Sequence, residues 1–319
     1  MRKILAIKNE IFDLPAGAET EINQLDSKLE LNLVDSSKDY LPLLEEAEIV
    51  FGWPKTDLVK KAKNLKWLHL PSAGVDRYAN QEIYQNQSIL LTNSSGVYGK
   101  PIAEHVFSMI MAHNRNLIDY AYDKKEKKWQ RKNEIKDFFN STVGILGLGD
   151  IGSTIAKRAK AWGAKVLALK RTMIEPPEYV DQIYLNQDLD QLLKKSDYVI
   201  LTLPGTPETE GIIGKEELQL MKETAFIVNI GRGSLIDQQQ LIEALKNNWI
   251  GGAGLDVTEP EPLPKDSELW QLDNLILTPH TSGFSPTNDQ RRFEIFKDNL
   301  LRYLKDKELK NLVDFELKY

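Results

Sequence analysis

The stretch TVGILGLGDIGSTIAKRAKAWGAKVLAL, residues 142–169, decides the fold of this chain. An apolar run leads into Gly147, Gly149 and Gly152, and an alanine-rich segment and a second apolar run follow. In a strand–turn–helix unit, the first glycine permits the tight turn and the second lets the backbone approach a ligand. The third glycine lets helix and strand pack closely, with the N-terminus of the helix facing an anion. This context predicts a site for the pyrophosphate of a dinucleotide.

Short β-rich runs alternate with helical patterns on both sides of this stretch. On its N-terminal side the predicted strands are KILAI (3–7), LELNLV (29–34), EIVFGW (48–53), LKWLHL (65–70) and SILLT (88–92). After the glycines they are AKVLALK (164–170), DYVILTL (197–203), AFIVNI (225–230), GGAGLDV (251–257) and NLILT (274–278). Such alternation is typical of βαβ units and predicts mainly parallel sheets.

Two long segments at helical spacing flank the second series of strands. Residues 99–117 are strongly apolar and begin with a proline in the first turn, which predicts one long helix. Residues 285–309 are amphipathic and predict a second helix. Because 319 residues exceed what a single core usually holds, we expect one domain to be inserted into another. The predicted fold class is α/β, with two Rossmann-like or flavodoxin-like, doubly wound parallel-sheet domains.

Composition excludes several classes of function. The net charge of −6 argues against a nucleic acid or an anionic membrane as the main partner. The basic run KKEKKWQRK (124–132) is interpreted as a solvated helix face or loop, with a polyanion patch as the alternative. The absence of cysteine excludes disulfides, thiolate catalysis and a zinc site built on cysteine, and we predict no metal site. No segment has the pattern of a signal peptide or a membrane span, so we expect a cytoplasmic protein.

The end of the second strand of the dinucleotide unit bears on the choice of cofactor. A carboxylate at this position normally binds the adenosine ribose, but here the strand ends with Lys170, Arg171 and Thr172. Lysine and arginine attract a 2′-phosphate, and threonine can donate a hydrogen bond to it. The pattern favours NADP(H) over NAD(H). The alternative is a pair of exposed charges on a loop, with NAD(H) bound less selectively.

Three later stretches each follow a predicted strand. They are NIGRGSLID (229–237), GLDVTEPEPLP (254–264) and TPHTSG (278–283). Ligands of open α/β sheets bind at the carboxyl ends of the strands, where these stretches place an arginine, a carboxylate and a histidine. Each residue alone could equally brace a loop or cap a strand.

Together with the glycine motif, these stretches resemble the D-isomer-specific 2-hydroxyacid dehydrogenase family. Similarity over most of the chain comes also from SAGVD (72–76), AEH (103–105), TPET (206–209) and LIEAL (241–245). The resemblance implies that Arg232 binds the carboxylate and carbonyl of a 2-oxo acid through its fork of donors. It implies that His280 is the acid–base group and that Glu261 orients its imidazole.

The same resemblance implies further contacts. Asp150 and Ile151 would lie at the pyrophosphate, and Leu203 and Pro204 would line the cofactor. The nicotinamide carboxamide would meet Asp256 and the backbone of Ile230, with Ser282 and Gly283 beside the nicotinamide ring. Backbone N–H groups of Ala73, Gly74 and Val75 would bind the substrate carboxylate. Trp53 and Tyr98 are candidates for the pocket wall, with core packing as the alternative for each.

We therefore expect an oxidoreductase that reduces a small 2-oxo acid to the D-2-hydroxy acid, with NADP(H) preferred and NAD(H) possible. The predicted substrate domain comprises residues 1–97 and 284–319, and the predicted dinucleotide-binding domain comprises residues 98–283. The family resemblance suggests a homodimer in which the apolar helix near residues 101–117 takes part. The sequence leaves open which 2-oxo acid is the substrate.

Two alternatives remain open. One is an NAD-dependent enzyme of the phosphoglycerate or D-lactate dehydrogenase type, but a phosphorylated substrate needs more basic residues than Arg77 near SAGVD. The other is a non-catalytic, nucleotide-sensing corepressor. A corepressor would tolerate the loss of the arginine, glutamate or histidine, yet all three are present.

Overall fold

A computed structural model of the chain describes residues 1–317, which form two compact units. The first unit contains Met1–Tyr98 and the C-terminal residues from Ser285 onward, and the second contains Gly99–Phe284. The chain thus leaves the first unit, builds the second and returns. Each unit is built around one parallel sheet, so the predicted fold class is confirmed.

The first unit has a five-stranded sheet. Its strands are β1 (Arg2–Lys8), β2 (Leu29–Asp35), β3 (Ile49–Gly52), β4 (Trp67–Leu70) and β5 (Leu90–Asn93). The helices between them are α1 (Ala18–Leu25), α2 (Leu41–Glu46) and α3 (Thr56–Val59). The strand order is β2-β1-β3-β4-β5 with all pairs parallel, which is the flavodoxin-like order.

The second unit has a seven-stranded parallel sheet. Its helices are α4 (Gly99–Asn114), α5 (Leu117–Lys125), α6 (Asp150–Ala161), α7 (Leu189–Lys195), α8 (Lys215–Leu220) and α9 (Gln238–Lys246). Its strands are β6 (Thr142–Leu146), β7 (Lys165–Leu169), β8 (Gln182–Tyr184), β9 (Tyr198–Leu201), β10 (Phe226–Asn229), β11 (Gly252–Leu255) and β12 (Leu275–Leu277). The order β12-β11-β10-β9-β6-β7-β8 reverses its direction between β6 and β9, and ligands bind at such a reversal.

Two helices differ from the predicted bounds. Residues 99–117 do not form one helix, because α4 ends at Asn114 and α5 begins at Leu117. Asn116 between them has a φ of 52°, a left-handed conformation that asparagine tolerates better than most residues. The last helix, α10 (Asn288–Leu304), is shorter than the predicted 285–309. Within residues 1–317 no helix is both long and apolar enough to cross a membrane.

The core of the first unit is built on aromatic stacking against α10. The ring of Phe296 stacks on Phe51 with centroids 4.4 Å apart, and on Trp67 at 5.2 Å. All three side chains are fully buried. The C-terminal helix therefore completes the core of a sheet made from the first residues of the chain.

A buried chain of hydrogen bonds crosses this core at His69. Trp67 Nε1 donates to Thr92 Oγ1 over 2.8 Å, so the threonine hydroxyl can donate its one hydrogen to His69 Nδ1 at 2.7 Å. His69 Nε2 then donates to Ser94 Oγ at 3.2 Å, and Ser94 donates to Leu70 O at 2.9 Å. Burial lowers the pKa of His69 to about 3, so the ring is neutral.

A neutral buried histidine makes the stability of the first unit depend on pH. The ordinary pKa of histidine is 6.5, so the unfolded chain binds a proton below that pH while folded His69 does not. Stability is fully present above pH 6.5 and is lost as the pH falls towards 3. Between about pH 7.5 and about pH 5 we expect a loss of about 2 kcal/mol from this residue.

Urea unfolding at several pH values, followed by hydrogen exchange in first-unit peptides, measures this loss. A His69→Gln variant serves as the comparison, because it cannot titrate. Its stability should fall by about 2 kcal/mol less over the same interval. Equal pH dependence in the two proteins would show that His69 is not the responsible group.

Candidate active site

The glycine motif forms a tight turn between β6 and α6. Gly147 has a φ of 99°, a conformation that favours glycine. A Cβ atom on Gly152 would lie 2.0 Å from the carbonyl oxygen of Gly147, so only glycine lets the helix start this close to the strand. Thr202 Oγ1 closes the turn from β9 by donating to Gly147 O at 2.7 Å. This last contact was not predicted from the sequence.

The start of α6 has the properties of a phosphate site. In residues 1–317 no acceptor pairs with the N–H groups of Gly149, Ile151 or Gly152. A Cβ atom on Gly149 would meet nothing within 4 Å, so the turn is open on the side-chain face of Gly149. N–H groups at a helix start, together with the helix dipole, favour an anion. The residues present therefore fit the pyrophosphate of a dinucleotide, with Asp150 in the same turn.

The end of β7 lies beside this turn. Gly147 N donates to Leu169 O at 3.2 Å, which brings the next residue, Lys170, close to the glycine motif. Lys170 is half-buried, with its backbone N–H bonded to Tyr184 O, whereas Arg171 and Thr172 are exposed.

The loop after β9 reaches the same turn. A Cβ atom on Gly147 would lie 3.1 Å from Leu203 Cδ2, so Leu203 packs against the glycine motif. Pro204 O accepts a hydrogen bond from Thr209 Oγ1 at 2.7 Å, which holds the loop in place. The two predicted cofactor residues of this loop thus lie at the point where the strand order reverses.

The predicted histidine and glutamate are in direct contact. His280 Nδ1 lies 2.9 Å from Glu261 Oε2, and the two side chains are 54% and 39% exposed. The other carboxylate oxygen, Oε1, accepts from Thr258 N at 3.1 Å. A carboxylate can only accept, so Nδ1 is the donor in this pair. The second ring nitrogen, Nε2, is then the one available for proton transfer.

Asp256 organises the loop that carries His280. Its carboxylate is buried and accepts from the hydroxyl of Thr278 at 2.6 Å, and from Thr281 N and Ser282 N at 2.9 Å each. Its backbone carbonyl accepts from His280 N at 2.8 Å. A buried charge is stable only when it is well hydrogen-bonded, so this loop is strongly restrained.

His105 extends this network from α4. Its Nε2 lies 2.9 Å from Thr278 Oγ1. Because the single hydroxyl hydrogen of Thr278 goes to Asp256, His105 Nε2 is the donor. The sequence pointed to this residue only through the match at AEH (103–105), and it did not point to Thr278.

Arg232 lies in a loop that is fixed by Asn229 at the end of β10. Asn229 Nδ2 donates to Arg232 O at 2.8 Å, and Asn229 Oδ1 accepts from Gly231 N at 3.1 Å. The Arg232 guanidinium donates from Nη1 to Gly231 O at 2.7 Å. The loop touches the Glu261 turn, because a Cβ atom on Gly233 would lie 2.2 Å from Thr258 O. The arginine loop and the glutamate turn are thus neighbours.

The remaining predicted nicotinamide residues follow the same strands. Ile230 is 6% exposed directly after β10, and its N–H donates to Leu201 O at 3.3 Å. Ser282, 5% exposed, is held by Asp256, and Gly283 follows it.

The substrate residues predicted in the first unit follow three neighbouring strands. In the loop after β4, Ser72 Oγ donates to Gly74 O at 2.7 Å, and Asn93 Nδ2 donates to Ala73 O at 2.9 Å. These bonds fix the carbonyl groups of the loop. In residues 1–317 no acceptor pairs with the N–H groups of Ala73, Gly74 or Val75. The loop can therefore offer three donors to an anion.

The two aromatic candidates use their polar atoms within the first unit. Trp53 Nε1 donates to Ser72 Oγ at 3.1 Å. The Tyr98 hydroxyl, on a side chain that is 8% exposed, donates to Pro71 O and accepts from Arg292 Nε at 2.9 Å. Tyr98 thus has a clear packing role, and Trp53 braces the loop that holds the free N–H groups.

Comparison with known proteins gives a consistent result. Residues 107–282 match the model of the D-isomer specific 2-hydroxyacid dehydrogenase, NAD binding domain. A glyoxylate reductase of Pyrococcus furiosus is 32% identical, with 98% of this chain and 97% of that protein covered.

Two solved structures are similar to this one over almost the whole chain. A D-isomer specific 2-hydroxyacid dehydrogenase family protein of Aeromonas salmonicida has a TM-score of 0.86 at 31% identity, covering 99% of this chain and 100% of that one. A D-isomer specific 2-hydroxyacid dehydrogenase of Xanthobacter autotrophicus, solved in complex with NADPH and MES, has a TM-score of 0.84 at 26% identity, with both chains fully covered at 100%. The predicted family is confirmed: this chain belongs to the D-isomer specific 2-hydroxyacid dehydrogenases and is an NAD(P)-dependent oxidoreductase.

Proposed function

We propose that this protein reduces a small 2-oxo acid to the D-2-hydroxy acid, with NADPH as the preferred reductant. The contact of 2.9 Å between His280 Nδ1 and Glu261 Oε2 carries the proposal, because it leaves the opposite ring nitrogen for acid–base chemistry. Glyoxylate is the first substrate to test, since the Pyrococcus furiosus relative is a glyoxylate reductase.

His280 acts as the acid in reduction and as the base in oxidation. Its Nε2 donates a proton to the carbonyl oxygen as negative charge develops there, and takes the proton back in the reverse direction. Glu261 accepts from Nδ1 throughout and keeps the ring in one orientation. Bound NADPH supplies the hydride for the carbonyl carbon.

Arg232 and the loop after β4 bind the substrate anion in this proposal. The guanidinium presents planar donors that suit a carboxylate with an adjacent carbonyl. The N–H groups of Ala73, Gly74 and Val75 have no acceptor in residues 1–317, which supports their assignment to the substrate carboxylate. Trp53 is proposed as a wall of the same pocket, with Tyr98 behind it.

The cofactor assignments extend from the glycine motif to the His280 loop. Asp256 is proposed first as the residue that shapes this loop, since its carboxylate already accepts three hydrogen bonds, and second as a partner of the nicotinamide carboxamide. The other proposed cofactor contacts are Asp150, Ile151, Leu203, Pro204, Ile230, Ser282 and Gly283. A homodimer formed through α4 and a cytoplasmic location also remain proposals.

Turnover of 2-oxo acids separates this proposal from its alternatives. We expect oxidation of NADPH with glyoxylate or hydroxypyruvate, and loss of at least about a hundredfold in kcat for His280→Asn. Glu261→Gln should also lower kcat without changing the Kd of the cofactor. Glu259→Gln, in the same turn, is the matched control and should retain full activity.

Different results identify the alternatives. Tight cofactor binding without turnover of any 2-oxo acid would favour the corepressor. Turnover of a phosphorylated 2-hydroxy acid with NAD in preference to NADP would favour the phosphoglycerate type, and preference for lactate with NAD would favour the D-lactate type.

Cofactor preference is tested at the end of β7. Replacing Lys170 and Arg171 together by alanine should raise the KM for NADPH by roughly tenfold or more, because two charged contacts to the 2′-phosphate are lost. The KM for NADH should change less than about twofold. Lys165→Ala, an exposed charge at the opposite end of the same strand, is the control. Equal effects on both cofactors would refute the 2′-phosphate assignment.

A further inference from the structure

We infer that Gln238 is a positioning residue for the Glu261–His280 pair, an assignment that rests on the proposed function. Gln238 is the first residue of α9 and lies outside the three stretches that supply the arginine, glutamate and histidine side chains to the site. Its side chain reaches the turn that carries Glu261, and within residues 1–317 no other side chain of α9 forms a hydrogen bond to that turn.

The contact is a two-point amide pair. Gln238 Nε2 donates to Glu259 O at 2.8 Å, and Gln238 Oε1 accepts from Glu259 N at 3.1 Å. Both polar groups of one residue in the turn are therefore bonded to a single side chain. Such a pair restrains translation and rotation of the backbone together, as a single hydrogen bond does not.

The start of α9, which carries Gln238, is held in place. Asp237 caps α9 by accepting from Gln239 N and Gln240 N at 3.1 Å each. The helix itself is anchored in the core by four buried side chains, which are Leu241, Ile242, Ala244 and Leu245. Gln238 therefore extends from a fixed helix start to an exposed turn.

The turn needs such support because it is exposed. Glu259, Pro260 and Glu261 are all exposed, and Glu261 Oε1 accepts a hydrogen bond from Thr258 N within the turn. Gly233 provides a second restraint, since its Cα packs against Thr258 O so closely that a Cβ atom would lie 2.2 Å from it. Gln238 and Gly233 thus hold adjacent residues of one turn.

The position of this turn determines the geometry at His280. Glu261 uses one oxygen for Thr258 N and the other for His280 Nδ1. A displacement of the turn by about 1 Å would break the second contact and free the imidazole to rotate. The effect of Gln238 on catalysis should therefore pass entirely through Glu261.

A double-mutant cycle tests this route. Gln238→Met keeps the length and helix propensity of the side chain but removes both hydrogen bonds, and it should lower kcat for glyoxylate about tenfold. Gln239→Met, on the exposed neighbour of the same type, is the matched control and should leave kcat unchanged. The Kd for NADPH and the Tm should stay close to wild type in both variants.

The decisive measurement is Gln238→Met in a Glu261→Gln background, where it should cause no further loss of kcat. An additive loss, or an unchanged kcat in the single variant, would overturn the inference, as would an equal loss in the Gln239→Met control. If Glu261→Gln itself retains full activity, the proposed function fails instead. The two failures are therefore distinguishable.

Discussion

The site depends on one buried carboxylate. Asp256 is buried, and a buried carboxylate requires hydrogen-bond donors such as the three that the segment 278–282 provides. Those donors can converge only if the segment turns sharply after β12, and that turn presents His280, whose φ is 54°. The same backbone conformation therefore surrounds the Asp256 carboxylate with donors and presents His280.

The two units use buried polar groups in opposite ways. In the first unit His69 is neutral and its hydrogen bonds form a chain that ends on a backbone carbonyl. In the second unit, donors from the segment 278–282 converge on the buried carboxylate of Asp256. The former arrangement serves packing, whereas the latter restrains residues next to the proposed chemistry.

Local sequence patterns predicted much of the structure, but they did not predict contacts between residues that are distant in the chain. The glycine motif and the apolar runs predicted both sheets, because strand periodicity and turn chemistry are encoded within a few residues. The short strand β8 was not predicted, and Asn116 interrupts a predicted helix without any proline or glycine. The family resemblance, rather than any local pattern, predicted that Glu261 would orient His280. No sequence pattern indicated a role for Gln238, because that role depends on which backbone groups its side chain reaches in the folded protein.

The stacking of Phe296 on Phe51 and on Trp67 has a consequence for biosynthesis. A ribosome delivers the five strands of the first sheet early, but the ring that fills their core emerges only after the whole inserted unit. The inserted unit, whose residues are contiguous, can fold while the earlier sheet still exposes apolar surface. The core of the first sheet is therefore completed last. Until then, the nascent N-terminal segment is the part that most needs protection from aggregation during translation.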